Sequence, residues 1–423
     1  MANAVKTVQD KVSDTTSETN VASTNVAFRM HLAETPEQES LRRELREYFD
    51  QLLTREVRDG LGDNGEGNPE FRRIVRQMGS DGWLGLGWPK EYGGQGRLAT
   101  DQFILFDEAQ RAHAPFPFVT INTVGPTIMA YGTQEQKDAY LPGILAGELN
   151  FAIGYTEPES GTDLASLRTS AVLDGDEWVI NGNKVFTSGA NQADFVWLAC
   201  RTDPDAPKHK GISIIIVPTD SPGFSWTPIV TVGGNVTTAT YYSDVRVPKH
   251  NVVSDVNRGW QLITTQLNHE RVGLAALTGL THRLYDDVVA WAAAEPSGPA
   301  VGQRMLDLAW VQADLAKCKA ILEALKLMNW KLVRSVSDAT LTPQASSSVK
   351  VFGTERAVEV YKLLLGILGP LGHLREGAPG AVLHGEVEQA GRMAQINTFG
   401  GGVNEIQRDI VATAGLGMKR ASR

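Results

Sequence analysis

Cysteine is scarce in this chain: only Cys200 and Cys318 occur among 423 residues. Two thiols so far apart make neither a disulfide framework nor a metal-ligand spacing, so a pair of ordinary buried thiols is expected. An excess of positive charge is also missing. The net charge of −9 disfavours a nucleic-acid partner, because a phosphate backbone is held by basic surface. No apolar run approaches the length needed to cross a bilayer. The stretch from Met1 to Thr24 is rich in Ser, Thr, Asn and mixed charge and lacks the apolar segment of a signal peptide, so it reads as a mobile tail. A cytoplasmic protein without membrane insertion is the expectation. The eight histidines are scattered without metal-ligand spacing, and no metal is expected. Neither a G-x-G-x-x-G after a strand nor a P-loop is present, which removes the Rossmann and nucleoside-triphosphatase readings.

What is present is an ordinary globular composition, 42% hydrophobic and 21% charged, in a chain long enough for two or three cores. Residues 1–34 form the tail. Residues 35–150 are patterned as helices, with one amphipathic stretch from Leu41 to Val57 and another from Phe71 to Met78. Gly60 to Asn68 and Pro89 to Gly94 read as loops. Residues 151–255 change to short runs rich in Val, Ile and aromatics. Trp178-Val179-Ile180 runs into Asn181-Gly182, a hairpin turn signal, with Lys184 to Thr187 as the returning strand. Phe195 to Cys200, Ile212 to Val217 and Ala239 to Val247 are further strands. Residues 256–423 are helical again, rich in Ala and Leu. Strands grouped between two helical regions predict an α+β fold.

Four features carry chemistry. On a helix starting near Trp260, Ile263, Leu267, Leu274 and Leu277 mark one buried stripe, and Glu270 falls on it. A carboxylate on an apolar face is costly unless paired or used. Arg271 points roughly 100° around the helix and need not neutralise it; periodicity alone leaves a structural ion pair and a functional base level. The second feature is Tyr155-Thr156-Glu157-Pro158-Glu159-Ser160-Gly161-Thr162-Asp163, where helices give way to strands and small residues allow close approach to a flat or anionic ligand. The third is Phe186-Thr187-Ser188-Gly189, an aromatic ring beside hydroxyls. The fourth is Gly400-Gly401-Gly402-Val403-Asn404-Glu405-Ile406-Gln407-Arg408, glycines followed by Asn404 as N-cap of a helix whose N–H groups face outward.

Together, and in this order, these segments resemble the acyl-CoA dehydrogenase family, over nearly everything after the tail. Pro89 to Gly94 and Tyr131 to Lys137 with Leu141-Pro142 agree as well. The resemblance implies an N-terminal helical domain, a central β-barrel, a C-terminal four-helix bundle, and FAD as cofactor. It implies that Thr156 and Ser188 hydrogen-bond the flavin ring and that Phe186 stacks on it. Thr162 would touch both flavin and CoA, and Tyr155, Val403 and Glu405 would complete the cofactor contacts. Many relatives carry their base in a Tyr-Glu-Gly segment that aligns here with Gly400-Gly401-Gly402; a smaller group uses a Glu-Arg pair matching Glu270-Arg271. The resemblance thus makes Glu270 the base that removes the α-proton of an acyl-CoA thioester while the β-hydride leaves to flavin. The Gly401 N–H would polarise the thioester carbonyl, and an electron-transfer flavoprotein would accept the electrons.

Two segments depart from the family. Where relatives place Arg-x-x-Phe-Gly, this chain has Trp291-Ala292-Ala293-Ala294-Glu295-Pro296. Where they place Gln-x-x-Gly-Gly-x-Gly, it has Gly366-Ile367-Leu368-Gly369-Pro370-Leu371-Gly372. Both are elements that homotetrameric members lend to a neighbour's flavin. Their loss, beside a retained base and flavin face, resembles the catalytic-type subunit of actinobacterial heteromeric dehydrogenases acting on bulky acyl groups such as steroid side-chain CoA esters. A homologous partner subunit in a heterotetramer is therefore expected. Two alternatives stand beside this reading: a flavin monooxygenase or oxidase on the same fold, and a non-catalytic partner subunit.

Overall fold

In the computed structural model, residues 34–61, 69–266, 278–297 and 302–419 are described. Sequence capping fixes the first helix, α1 (Pro36–Leu52): Thr35 and Gln38 close a reciprocal capping box, Pro36 begins the helix, and Leu41, Leu45 and Phe49 recur four apart on the buried face. The amphipathic stretch expected to reach Val57 is broken after Leu52, and α2 (Arg55–Leu61) follows as a separate helix. Gly60 lies in α2 rather than in a loop. α3 (Pro69–Ser80), α4 (Ala99–Arg111), α5 (Gly125–Tyr131) and α6 (Gln134–Leu145) complete the N-terminal helical domain.

The middle of the chain forms β1 (Phe151–Gly154), β2 (Ser170–Asp174), β3 (Glu177–Lys184), β4 (Phe195–Arg201), β5 (Ile212–Pro218), β6 (Phe224–Val230), β7 (Val236–Pro248) and β8 (Val252–Val253). They make one sheet in the order β6-β7-β3-β2-β4-β5-β8, with β1 paired in parallel to β4. β4 and β5 are buried almost throughout, which explains their unbroken apolar runs. The hairpin expected at Asn181-Gly182 lies elsewhere. β2 and β3 pair antiparallel through Gly175, at φ +64, whereas Asn181 and Gly182 are inside β3, where the register with β7 shifts. The cause is steric: a Cβ on Gly182 would lie 2.6 Å from Thr169 Oγ1, so glycine here serves a bulge rather than a turn.

The chain then returns to helices: α7, helical over 259–266, α8 (Gly279–Ala294), α9 (Ala309–Ser337), α10 (Pro343–Leu368), α11 (Glu386–Met393) and α12 (Asn404–Ile410). Leu284, Val288, Val311, Leu315, Leu322, Val360 and Leu364 share the core of this C-terminal helical domain. Polar clamps join the regions. Gln136 of α6 donates to the carbonyls of His250 and Val252 at 2.8 and 2.9 Å, Arg72 of α3 pairs with Asp194 at 3.2 Å, and Arg392 of α11 donates to Val232 O in the β6–β7 hairpin. Cys200 and Cys318 are both fully buried, and burial pushes each thiol up to about 12, as suits inert core thiols. No helix among the described residues is long and apolar enough to cross a membrane.

Candidate functional site

The end of β3 and the loop after β1 are held together from beneath by a buried ion pair. Lys184, at 0% exposure, lies on the parity of Trp178 and Ile180, the inward face of β3. Its ammonium meets Glu157 Oε1 at 2.8 Å and the Tyr155 carbonyl at 3.0 Å. The Glu157 carboxylate also accepts from the backbone N–H of Arg168 at 2.7 Å and of Thr169 at 2.8 Å. Burial opposes charge on both partners, but the ammonium and the bonds from Thr169 outweigh it at Glu157 and hold its carboxyl below the usual range. Glu157 and Ser160 exchange backbone bonds at 3.1 and 3.2 Å, which closes the loop on itself.

Beside this clamp a backbone bond links two of the segments expected at the flavin. Val185 N–H donates to Thr156 O at 2.9 Å, setting Thr156 beside the strand that ends in Phe186. Phe186 is 61% exposed and has φ +59. An exposed aromatic in left-handed backbone is an outlier that the folded chain gains nothing from by itself. It is enforced from the next residues. Thr187 N–H donates to Thr238 O at 2.9 Å, the Thr238 hydroxyl donates back to Thr187 O at 2.6 Å, and Ser188 Oγ shares a bond with Thr237 Oγ1 at 2.9 Å. An exposed ring on a backbone tied to Thr156 on one side and to β7 on the other offers a flat face that a heterocycle such as the isoalloxazine of FAD could cover.

The other expected residues are placed more loosely. Thr162 is exposed next to Asp163, which pairs with Lys208 at 2.7 Å. Gly401 and Gly402 have φ +65 and +94. The N-cap of α12 is Val403, not Asn404 as expected, and it makes no side-chain cap bond. Asn404 is drawn inward instead: Lys350 Nζ donates to its Oδ1 at 3.1 Å and its Nδ2 donates to Thr354 Oγ1 at 3.0 Å. The side-chain bonds described for this segment run to α10, with Glu405 exposed in the first turn of α12. Glu270 and Arg271 lie outside the described residues. Ile263, of the expected stripe, is buried at 2% exposure.

Sequence reasoning passed over Lys184, Glu157 as its partner, and Gln266. Lysine at an inward strand position was the legible signal for the first two, since a buried ammonium requires a counter-charge. Gln266, at the end of the described part of α7, accepts from the Tyr155 hydroxyl, which in turn accepts from Trp197 Nε1 at 3.2 Å. Gln266 had no signal beyond its position near the Glu270 stripe.

Three family profiles match in order: "Acyl-CoA dehydrogenase, N-terminal domain" over residues 35–148, the middle domain over 152–245 and the C-terminal domain over 257–416. Acyl-CoA dehydrogenase FadE26 of Mycobacterium tuberculosis (strain ATCC 25618 / H37Rv) is 54% identical over 93% of this chain and 100% of its own length. FadE29 of the same organism is 49% identical over 92% and 99%. Among solved structures, one described as "Tcur3481-Tcur3483 steroid ACAD" is 60% identical with a TM-score of 0.88, covering 93% of this chain and 100% of that one. The ChsE4-ChsE5 complex from Mycobacterium tuberculosis is 54% identical with a TM-score of 0.87 at the same coverage.

The clamp yields a test. Lys184→Met strands the Glu157 carboxylate in the interior, a loss of about 3–5 kcal/mol, and should lower the melting temperature and release flavin together. Because the folded-state pKa of Glu157 is depressed, its contribution is present above the ordinary carboxylate range and is lost as pH falls through the folded value. Melting temperature against pH should therefore fall on acidification in the wild type. The variant should show a flatter acid limb; an unchanged limb and unchanged flavin affinity would remove the clamp from the site.

Proposed function

The chain belongs to the acyl-CoA dehydrogenase family, and on that premise we propose that it is the FAD-bearing catalytic subunit of a heteromeric acyl-CoA dehydrogenase that desaturates a bulky acyl-CoA thioester of the steroid side-chain type. The observation that carries the cofactor half of this reading is Phe186, exposed, at positive φ, and held through its neighbours, Val185 to Thr156 on one side and Thr187 and Ser188 to β7 on the other. Tyr155, Thr156, Phe186 and Ser188 would hold the ring, with Thr162, Val403 and Glu405 serving the remainder of FAD. When bound, FAD would supply the acceptor for the hydride, with its two electrons, lost from the β-carbon.

The protein's own part is to place the substrate and move one proton. Glu270 takes the α-proton, and Arg271 accompanies it in sequence. A carboxylate is a stronger base where an apolar acyl chain has expelled water, so substrate binding itself prepares the base. The Gly401 N–H polarises the thioester carbonyl, where negative charge develops as the α-proton leaves. Lys208 and Lys210, in the loop that reaches Asp163 beside Thr162, offer positive charge to the anionic CoA. The reduced enzyme would pass its electrons to an electron-transfer flavoprotein.

A homologous partner subunit follows from what the chain does not offer. A Cβ on Gly366 or Gly369 would meet nothing within 4 Å, so this rim is open but carries no side chain to lend. Pro370, next to Gly369, has no backbone donor. The neighbouring solved structures are described as pairs of proteins, ChsE4-ChsE5 and Tcur3481-Tcur3483, the latter a steroid ACAD. That supports both the heteromer and the bulky acyl group.

Glu270→Gln should cut flavin reduction by acyl-CoA about 10²–10⁴-fold in stopped-flow traces while leaving flavin bound; a near wild-type rate moves the base elsewhere. Steady-state comparison of a polycyclic or branched acyl-CoA with a linear medium-chain one should give the higher kcat/KM to the bulky ester, and the reverse order refutes the proposed substrate class. Co-expression with a homologous subunit, followed by gel filtration and flavin quantification, should yield a heterotetramer holding FAD at unlike interfaces. A stable tetramer of this chain alone, with one FAD per subunit and full activity, would end the heteromer proposal.

A further inference from the structure

Four residues before Glu270 in the sequence, a buried amide is left with an unused donor. Gln266 is 1% exposed, and its Nε2 finds no acceptor among the described residues. The orientation of the amide follows from what each neighbour can do. Trp197 is fully buried and its indole N–H can only donate, so the Tyr155 hydroxyl accepts it at 3.2 Å. The hydroxyl passes its own proton to Gln266 Oε1, which can only accept. The relay Trp197 to Tyr155 to Gln266 thus uses the amide oxygen and directs the NH2 away. Turned over, the amide would set its NH2 against a hydroxyl already accepting from Trp197 and would still leave a buried amide atom without a partner.

A buried NH2 with nothing to bind is a cost that methionine, of similar volume, would avoid. The fold nevertheless anchors this side chain through two other residues and ties α7 down a second time, where Tyr131 Oη and Thr265 Oγ1 lie 3.4 Å apart. The relay residue also belongs to the candidate flavin face: the Tyr155 carbonyl is held by Lys184, and Thr156 follows it directly. We propose that Gln266 is a ligand-binding residue whose NH2 receives a carbonyl oxygen of the bound cofactor–substrate pair, either a pyrimidine carbonyl of the flavin or the carbonyl of the acyl-CoA. This rests on the assignment of the Tyr155–Ser188 face to flavin. It adds a side-chain donor, set by a hydrogen-bonded relay from the β-sheet, to a site otherwise served by hydroxyls and backbone.

The test uses the holoenzyme, with its partner subunit if flavin retention requires one. Wild type is first shown to carry flavin and to be reduced by acyl-CoA; failure there refutes the functional reading itself, independently of Gln266. Gln266→Met and Gln266→Glu are then compared for melting temperature, flavin Kd, flavin absorbance without CoA ligands, and Kd of the non-reducing 2-enoyl-CoA product. Gln266→Met should keep or raise the melting temperature and weaken one ligand by about tenfold or more. A changed flavin Kd and spectrum without CoA ligand identifies the flavin carbonyl; an unchanged flavin with weakened enoyl-CoA binding identifies the substrate carbonyl. Gln266→Glu retains the acceptor for Tyr155 and removes the donor, so it should lose the same ligand. If Gln266→Met leaves both ligands within about twofold, the NH2 binds only water and the proposal is overturned. It is equally overturned if Gln266→Glu matches wild type, because the side chain then merely supports Tyr155.

Discussion

The candidate site depends on a lysine that water does not reach. Lys184 could have been any apolar residue had β3 needed only to fill the core, and an apolar replacement of a whole buried pair is often neutral or stabilising. Its value lies in what the ammonium ties together: the Glu157 side chain and the Tyr155 carbonyl, two points on one loop, both fixed to the end of one strand. The carboxylate extends the tie to the N–H groups of Arg168 and Thr169, just before β2. One charge pair thereby sets the loop after β1, the approach to β2 and the end of β3 in a single arrangement. Thr156, half-buried, and Phe186, exposed, inherit that arrangement.

Rigidity beneath permits strain above. Phe186 sits in a backbone region that costs a bulky residue about 1–3 kcal/mol, and its ring remains largely in water. Neither feature survives unless neighbouring bonds over-determine it. On one side Val185 is bonded to Thr156; on the other Thr187 exchanges two bonds with Thr238. The ring is therefore presented rather than tucked in, and a ligand with a flat face recovers the apolar area that the fold leaves exposed. Threonines at 237, 238 and 240, all buried on β7, supply these tethers from the adjacent strand.

Much of this was legible from residues alone, for reasons that differ by element. The helical and strand regions announced themselves through periodicity, because amphipathic helices and buried strands such as β4 and β5 must repeat their apolar residues at fixed intervals. The segments around Thr156 and Phe186 were legible through order and resemblance, and the structure does bring these two together. The hairpin at Asn181-Gly182 was misjudged because a local turn preference competes with packing: Thr169 takes the space in which a Cβ would stand, and the Gly175 turn forms the hairpin instead. Asn404 was misjudged for a similar reason. A side chain that can cap a helix can also bond inward, and Lys350 and Thr354 offer it better partners than its own helix does. Pairings such as Lys184–Glu157 or Tyr155–Gln266, 27 and 111 positions apart, lie beyond any local pattern.

The two ends of the chain's chemistry are also treated unequally. At the candidate flavin face, backbone bonds from Val185 to Thr156 and from Thr187 to Thr238, and the hydroxyl bond of Ser188 to Thr237, fix the chain on either side of Phe186 before any ligand arrives. At the Gly366–Gly372 rim the opposite holds: α10 ends, Gly369 turns at φ +63, Leu371 is half exposed, and added side-chain atoms at Gly366 or Gly369 would meet open space. Space does not require glycine at Gly366, whereas at Gly369 the backbone itself, at φ +63 and ψ −150, does. An anionic cofactor needs donors around its whole length, since each charge-assisted bond left unmade is a bond that water kept. A chain that invests its polar atoms at one end and withholds them at the other serves such a cofactor best in company with a second, differently furnished surface. On the proposed reading, the division of labour between unlike subunits is thus written into the local stereochemistry of a single chain.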